Sequence, residues 1–197
     1  MYKRDQKVIS MLSKNEPTFT REVMVFALTS IRNHTYKLPV YMNEIKKRGS
    51  KAKLFNNASR KKGWLYIRQN YKTLHTTIHD TNLTVEEKLA VLTDIPNIGI
   101  VKAGFILQMC IGEVGCIDCH NANLYGVDLQ KFKLSTTARL ATKLRKAKEY
   151  TELCEKAGGS EKLWNNWCAF IAEQYPTKFN SKDDVSRLHV DTIVSVV

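Results

Sequence analysis

The feature that most constrains this chain is the pentapeptide IPNIG at residues 95–99, which separates two apolar stretches with helical spacing. Proline fits poorly inside a helix, whereas asparagine and glycine tolerate the backbone conformations of tight turns. The pattern predicts a helix that ends near Asp94, a tight hairpin in which Asn97 takes the left-handed conformation, and a second helix of about a dozen residues that begins at Ile100.

The start of this second helix is a candidate anion site. Its first backbone N–H groups have no partner inside the helix and point along the positive end of the helix dipole. Such an end can hold a phosphate without side chains, and Gly99 would let the phosphate approach closely. A turn at residues 112–115 follows the helix, and residues 117–120 are expected to open a third helix with Asp118 at its start.

Composition indicates a polyanionic partner. The 197 residues suffice for one compact domain or two small interlocked ones, and they carry a net charge of +12. This balance favours nucleic acid, although an anionic membrane surface would also attract it. No apolar run approaches the roughly 18 residues of a spanning helix, and the N-terminus lacks the apolar core of a signal peptide, so we expect an intracellular protein. The five cysteines are expected to be free thiols.

Basic residues are concentrated between residues 44 and 72, where Glu44 is the one acidic residue. Interleaved aromatic residues make the stretch typical of a groove that follows a nucleic-acid backbone and stacks bases; the alternative is a solvated basic face with Trp64 and Tyr66 in the core. The basic residues are Lys46, Lys47, Arg48, Lys51, Lys53, Arg60, Lys61, Lys62, Arg68 and Lys72, with a second cluster at Lys143, Arg145, Lys146 and Lys148.

Other segments of the chain also show helical patterns. Thr20 is the predicted N-cap of a helix that runs to Arg32, and Thr84 and Glu87 form a capping box that starts the helix before the hairpin. Further helices are predicted at 2–14, 135–157, 160–174 and 182–195, and no segment has the alternation of a strand.

The central stretch, LTDIPNIGIVKAGFIL at 92–107 followed by CIDCH at 116–120, resembles the helix-hairpin-helix DNA glycosylases, the superfamily that includes endonuclease III and 8-oxoguanine glycosylase. It is similar to that family's L-P-G-V-G-x-K-x-A hairpin and V-D-x-H segment. Residues 19–34 and 163–175 show weaker similarity to an early and a late helix of the family, in the same order along the chain.

The resemblance implies an all-α fold of two interlocked helical bundles, with a helix-hairpin-helix motif at about residues 84–111. One bundle would comprise residues 20–130, and the other residues 1–19 together with 131–197. The protein would be a monomer that binds double-stranded DNA and no membrane. It would lie in the cytoplasm with the nucleoid, or inside the host cell of a virus.

The resemblance also assigns DNA contacts. The hairpin residues Asn97, Ile98 and Gly99 would grip one strand, and Arg32 or Asn33 would fill the gap left by an extruded base; a solvated helix end is the alternative for those two. His120 would contact the DNA backbone or hold the helix end; a buried, hydrogen-bonded structural role is the alternative. Among the basic residues, Arg60, Lys61 and Lys62 are expected to contact DNA.

Asp118 is the residue that the resemblance implies to be catalytic. Breaking an N-glycosidic bond builds positive charge on the sugar, which a carboxylate can stabilise while it orients the attacking water. A position at a helix N-terminus favours the ionised form. The alternative is that Asp118 is simply an N-cap.

The lysine of this region departs from the family pattern. In lyase-competent members a lysine nucleophile lies two residues after the last hairpin glycine, where this chain has Val101, and Lys102 follows. Because one residue is about 100° around a helix, we expect Lys102 to point away and to contact phosphate. We therefore expect a monofunctional base-excision-repair glycosylase without AP-lyase activity. An alignment slipped by one residue would instead restore Lys102 as the nucleophile.

No cofactor is predicted. The iron–sulfur cysteine cluster of endonuclease III is missing, although a monovalent cation at the hairpin is compatible with the resemblance. CIDCH matches the haem-attachment pattern without an export signal, and Cys154 and Cys168 lack the paired spacing of zinc ligands. Two other functions stay open: a helix-hairpin-helix DNA-binding protein without catalysis, and a transferase or base-modification enzyme on the same scaffold.

Overall fold

A computed structural model describes the backbone of residues 2–194 and the side chains of residues 7–194. Across this range the secondary structure is helical, which confirms the all-α prediction. The α-helices are α1 (Tyr2–Asn15), α2 (Pro17–Thr29), α3 (Leu38–Arg48), α4 (Ala58–His79), α5 (Val85–Leu92), α6 (Ile100–Ile111), α7 (Cys119–Leu124), α8 (Leu140–Lys156), α9 (Gly159–Gln174) and α10 (Lys182–Val194).

The turn between α5 and α6 has the predicted position. The capping box is present at the start of α5, where the Thr84 hydroxyl accepts from the Glu87 N–H at 3.2 Å and the Glu87 carboxylate accepts from the Thr84 N–H at 2.8 Å. Asn97 takes the left-handed conformation with φ of 74°, as predicted. Gly99 is extended, with φ of −97°, so its conformation does not require glycine.

Helix α2 differs from its predicted limits. It begins at Pro17, with Glu16 at the N-cap, because the fixed φ of proline suits the first helical position. Thr20 is instead buried within α2, where its hydroxyl contacts Ser13 at 2.8 Å and His75 at 2.9 Å. The helix ends at Thr29, before Arg32. Helix α8 also starts later than predicted, and residue 195 of the last predicted helix lies outside the described residues.

Helix α6 lies at the centre of the molecule. Nine of its twelve residues are buried, and it packs against α1, α2, α4, α5 and α8. Its apolar character on all sides is typical of a helix surrounded by protein. A Cβ on Gly104 would lie 2.6 Å from the Gly115 carbonyl and 2.8 Å from the Tyr150 ring, so the absence of a side chain there lets neighbouring segments approach α6 closely.

Helices from both predicted bundles pack on one another, α1 against α6 and α5 against α8. Helix α4 packs directly on the turn, because Gly63 presents no side chain to it: a Cβ there would lie 2.4 Å from the Pro96 carbonyl. This contact places the basic helix α4 beside the turn. None of the described helices is both long and apolar enough to cross a membrane.

Candidate functional site

A cavity of about 480 Å³ lies between α2, α6, α7, α9 and α10. Its volume is within the usual range of small-molecule pockets. Much of its wall is aromatic, formed by Phe26, Phe105, Trp164, Trp167 and Phe170. Polar groups of the wall come from Ser30, Arg32, Asn33, Asn97, Lys102, Gln108, Asp118 and His189.

Asp118 is both an N-cap and part of the cavity wall. Its carboxylate accepts from the Asn121 N–H at 3.0 Å and so caps α7. The side chain is half-buried and lines the cavity. Because an ionised carboxylate can accept about four hydrogen bonds, the capping contact leaves acceptor positions for a ligand.

Opposing effects act on the pKa of Asp118. Burial raises the pKa, and this effect outweighs the hydrogen bond from Asn121 and the nearby charge of Lys102, which lower it. The helix N-terminus therefore acts in the expected direction, towards the ionised form, and partial desolvation acts against it and is larger. A carboxyl group with a raised pKa accepts a proton more readily than an exposed aspartate does.

Two neighbouring helices hold the segment that carries Asp118. On α8, the fully buried Tyr150 donates its hydroxyl proton to the Gly115 carbonyl at 2.8 Å and accepts from the Ile117 N–H at 2.9 Å. The buried Asn121 amide donates to the Cys116 carbonyl at 3.0 Å and to a carbonyl of α9 at 3.1 Å. Neither role could be predicted from the sequence, because both depend on long-range contacts.

Lys102 does not point away from the acid. It lines the same cavity as Asp118, its ammonium donates to the Ser30 hydroxyl at 2.9 Å, and it lies 5.4 Å from the centre of the Phe105 ring. The cavity extends along the first turn of α6 and borders both Val101 and Lys102. A rotation of about 100° between the two positions therefore does not remove Lys102 from it.

The hairpin residues have different environments. Asn97 is exposed and borders the cavity, and Gly99 is exposed in an adjoining groove of about 710 Å³. Addition of a Cβ to Gly99 would meet nothing within 4 Å, which shows open space in front of its backbone. Ile98 is buried with 4% exposure, so its side chain anchors the turn.

Arg32 and Asn33 both lie at the cavity. Arg32 is exposed and has a left-handed φ of 55°, a conformation that costs a non-glycine residue about 1–2 kcal/mol. Strain of this kind is often found at functional sites. The Asn33 amide donates to the Thr29 carbonyl at 2.6 Å and thereby caps the end of α2.

Several predicted DNA-contacting cations are engaged within the protein. The Arg60 guanidinium donates to the Ile31 carbonyl and ties α4 to the end of α2. Lys143 pairs with Asp94 beside the turn. Lys61 and Lys62 are exposed on α4.

The interleaved aromatic residues Phe55 and Trp64 are buried against each other, with ring centroids 5.2 Å apart, which matches the core alternative for Trp64.

His120 packs against α9. Its ring is stacked on Phe170, with centroids 3.7 Å apart and an interplanar angle of 12°. Because Phe170 forms part of the aromatic wall, His120 supports that wall. It is half-buried.

His189 is a cavity residue that the sequence did not reveal. It is buried with 2% exposure, and its ring lies edge-on to Trp164 and Trp167 at 5.3 and 4.9 Å. Burial lowers its pKa to about 4, so the ring is neutral at pH 7. A lone histidine in a C-terminal helix gives no signal that tertiary packing will place it here.

Within the described part of the chain, no group of three or more histidine, cysteine or acidic residues could hold a metal ion. The five cysteines form no disulfide bond in the described residues; Cys119 is exposed, and burial raises the pKa of Cys116 to about 12. Comparison of the chain with protein families, with curated proteins and with solved structures finds no match.

Proposed function

We propose that the protein is a DNA glycosylase that hydrolyses the N-glycosidic bond of a damaged or modified base flipped out of duplex DNA. The observation that carries the proposal is the position of Asp118 in the wall of an aromatic cavity that also borders the hairpin residue Asn97. A carboxylate, flat rings and a turn that can hold a DNA strand are thereby brought together.

Binding to duplex DNA is supported by the turn and its surroundings. The N–H groups at the start of α6 offer a phosphate site, and the open space before Gly99 allows a backbone to approach. Lys61 and Lys62 are exposed on α4, which the Gly63 contact holds against the turn. On this proposal residues 84–111 form a helix-hairpin-helix motif. Residues 20–130, and residues 1–19 with 131–197, form the two interlocked bundles.

In the proposed reaction a nucleotide leaves the base stack, which costs a few kcal/mol and least for a damaged or mismatched base. Arg32 fills the resulting gap. The base enters the aromatic cavity, and Asp118 faces the sugar. Water forms a bond to C1′ as the bond to the base nitrogen breaks, and the base leaves with the electron pair of that bond. The proton lost by the water passes to Asp118, the base takes up a proton from solvent, and Asp118 then returns its proton to solvent. The raised pKa of Asp118 suits this acceptance of a proton.

Lys102 favours a second candidate, a glycosylase with lyase activity, because its ammonium lines the same cavity. After losing a proton, Nζ would form a bond to C1′ as the base departs with its electron pair. Opening of the sugar ring would then give a Schiff base. Borohydride would reduce that imine and trap the protein on DNA, whereas the hydrolytic proposal predicts no trapping.

The test is an oligonucleotide panel that carries oxidised, alkylated, deaminated and hypermodified bases. Free base is measured by mass spectrometry and abasic sites by alkaline cleavage. The matched pair is Asp118→Asn and Asp128→Asn, because Asp128 is also an N-cap, accepts from the Gln130 N–H at 2.9 Å, and does not line the cavity. Release that is lost only in Asp118→Asn supports the proposal.

Absence of Asp118-dependent release, with DNA binding intact, would leave a non-catalytic DNA-binding protein. Trapping of the wild type but not of Lys102→Gln would establish the second candidate. DNA affinity alone does not distinguish these functions, because each requires salt-dependent binding.

A further inference from the structure

The cavity wall already carries a positive charge, the ammonium group of Lys102. An aromatic pocket that contains a carboxylate is ordinarily suited to a cationic ligand. Here the Lys102 ammonium lies over the Phe105 ring at 5.4 Å, and its charge acts on both Asp118 and His189. A second cation in this partly desolvated space would be repelled, because charges interact strongly where water is excluded. The cavity therefore disfavours a positively charged base.

His189 adds a hydrogen-bond acceptor to the aromatic side of the cavity. Its Nδ1–H donates to the Val185 carbonyl at 2.8 Å, so the neutral ring carries its lone pair on Nε2. Burial lowers the pKa of His189, and the charge of Lys102 lowers it further, so the ring stays uncharged at neutral pH.

Aromatic contacts connect the two polar groups along one wall. Phe105, beneath Lys102, lies 6.0 Å from Phe26, and Phe26 lies 5.1 Å from the His189 ring. Trp164 also bridges them, 6.2 Å from Phe105 and 5.3 Å from His189. Because Lys102 and His189 both line the cavity, this wall offers a flat ligand a donor and an acceptor.

Building on the proposed glycosylase function, we propose that the cavity selects a neutral base that carries both a ring N–H and a carbonyl. The ring N–H donates to Nε2 of His189, and the carbonyl accepts from the Lys102 ammonium. His189 is thereby a specificity-determining residue. Uracil-like, hypoxanthine-like and lactam-bearing oxidised bases belong to this class, and cationic N-alkylated bases do not.

The test compares duplexes that contain deoxyuridine or N3-methyldeoxyuridine, each opposite an abasic-site analogue so that neither base is paired. Wild-type protein binds the deoxyuridine duplex at least tenfold more tightly. In His189→Phe, which keeps a ring against Trp164 and Trp167, the ratio falls to about one. His189→Gln restores part of the ratio, because its amide carbonyl is an acceptor. The control, His34→Phe at an exposed histidine outside the cavity, keeps the wild-type ratio.

A second comparison uses 7-methylguanine and guanine, again opposite the abasic-site analogue. Wild type prefers neutral guanine, and Lys102→Met shifts the ratio at least tenfold towards the cationic base. Equal binding of the two uridine duplexes by folded wild type would overturn the inference, as would a preference for 7-methylguanine or an unchanged ratio in folded His189→Phe. These are affinity ratios, whereas the proposed function is tested by base release, so the two failures are distinguishable.

Discussion

Removal of the Tyr150 hydroxyl tests how the segment before Asp118 is held. In Tyr150→Phe the ring stays in place, but the Ile117 N–H loses its acceptor and the Gly115 carbonyl loses its main donor. A buried backbone group left without a partner costs about 1–3 kcal/mol. The Gly115 carbonyl keeps a weak donor, because the Cys154 thiol lies 3.7 Å from it. The loss of the tyrosine hydrogen bond at this carbonyl therefore lowers the stability by only about a further 1 kcal/mol. We expect a loss of about 2–4 kcal/mol in the free energy of unfolding.

Urea denaturation followed by circular dichroism measures this loss. The control is Tyr41→Phe, the same chemical change at a half-buried tyrosine, which should change stability by less than about 0.5 kcal/mol. Because the segment positions Asp118, the rate of base release in Tyr150→Phe should fall while DNA affinity changes little. A stability loss below about 0.5 kcal/mol would refute the reasoning that these two hydrogen bonds hold the segment.

Three further predictions concern the turn and the buried groups. Gly99→Ala should change stability by no more than about 1 kcal/mol, because its Cβ meets open space, yet weaken DNA binding in a fluorescence-anisotropy titration. Gly63→Ala should lower stability by about 1–3 kcal/mol and also weaken binding, because its Cβ would displace the Pro96 carbonyl; equal stability of the two alanine variants would contradict the packing. Since the pKa of His189 is about 4 when folded and about 6.5 when unfolded, the unfolded state binds more protons between those values, and stability falls as pH decreases. Urea unfolding at pH 7 and pH 4.5 should show about 2–3 kcal/mol more loss in wild type than in His189→Phe, and equal losses would contradict a buried neutral ring.

Local chemistry explains why the turn could be predicted from the sequence. Pro96 and Asn97 restrict their own backbone, and the Thr84–Glu87 box caps its own helix, so neighbouring residues suffice to locate α5, the turn and α6. The start of α2 was misplaced because Thr20, a good N-cap by residue type, is used for a tertiary contact with His75.

Properties of the site that depend on distant residues could not be predicted. The environment of Lys102 includes Ser30, seventy-two positions away in the chain, and the segment before Asp118 is held by Tyr150 on α8. The direction of the Asp118 pKa shift depends on how much water the surrounding helices exclude, which a motif does not encode. From its place in a basic run, Arg60 is predicted to contact DNA. Its guanidinium instead donates to the Ile31 carbonyl, a tertiary contact that the basic run does not predict.

The measurement that tests the central claim most directly is the single-turnover rate of base release by wild type, Asp118→Asn and Asp128→Asn on the best substrate of the panel. If Asp118 acts on the glycosidic bond, its substitution should lower that rate by about 10²–10⁴-fold, with DNA affinity retained and Asp128→Asn close to wild type. Release at an undiminished rate by Asp118→Asn, or no release by wild type from any base of the panel, would contradict the account.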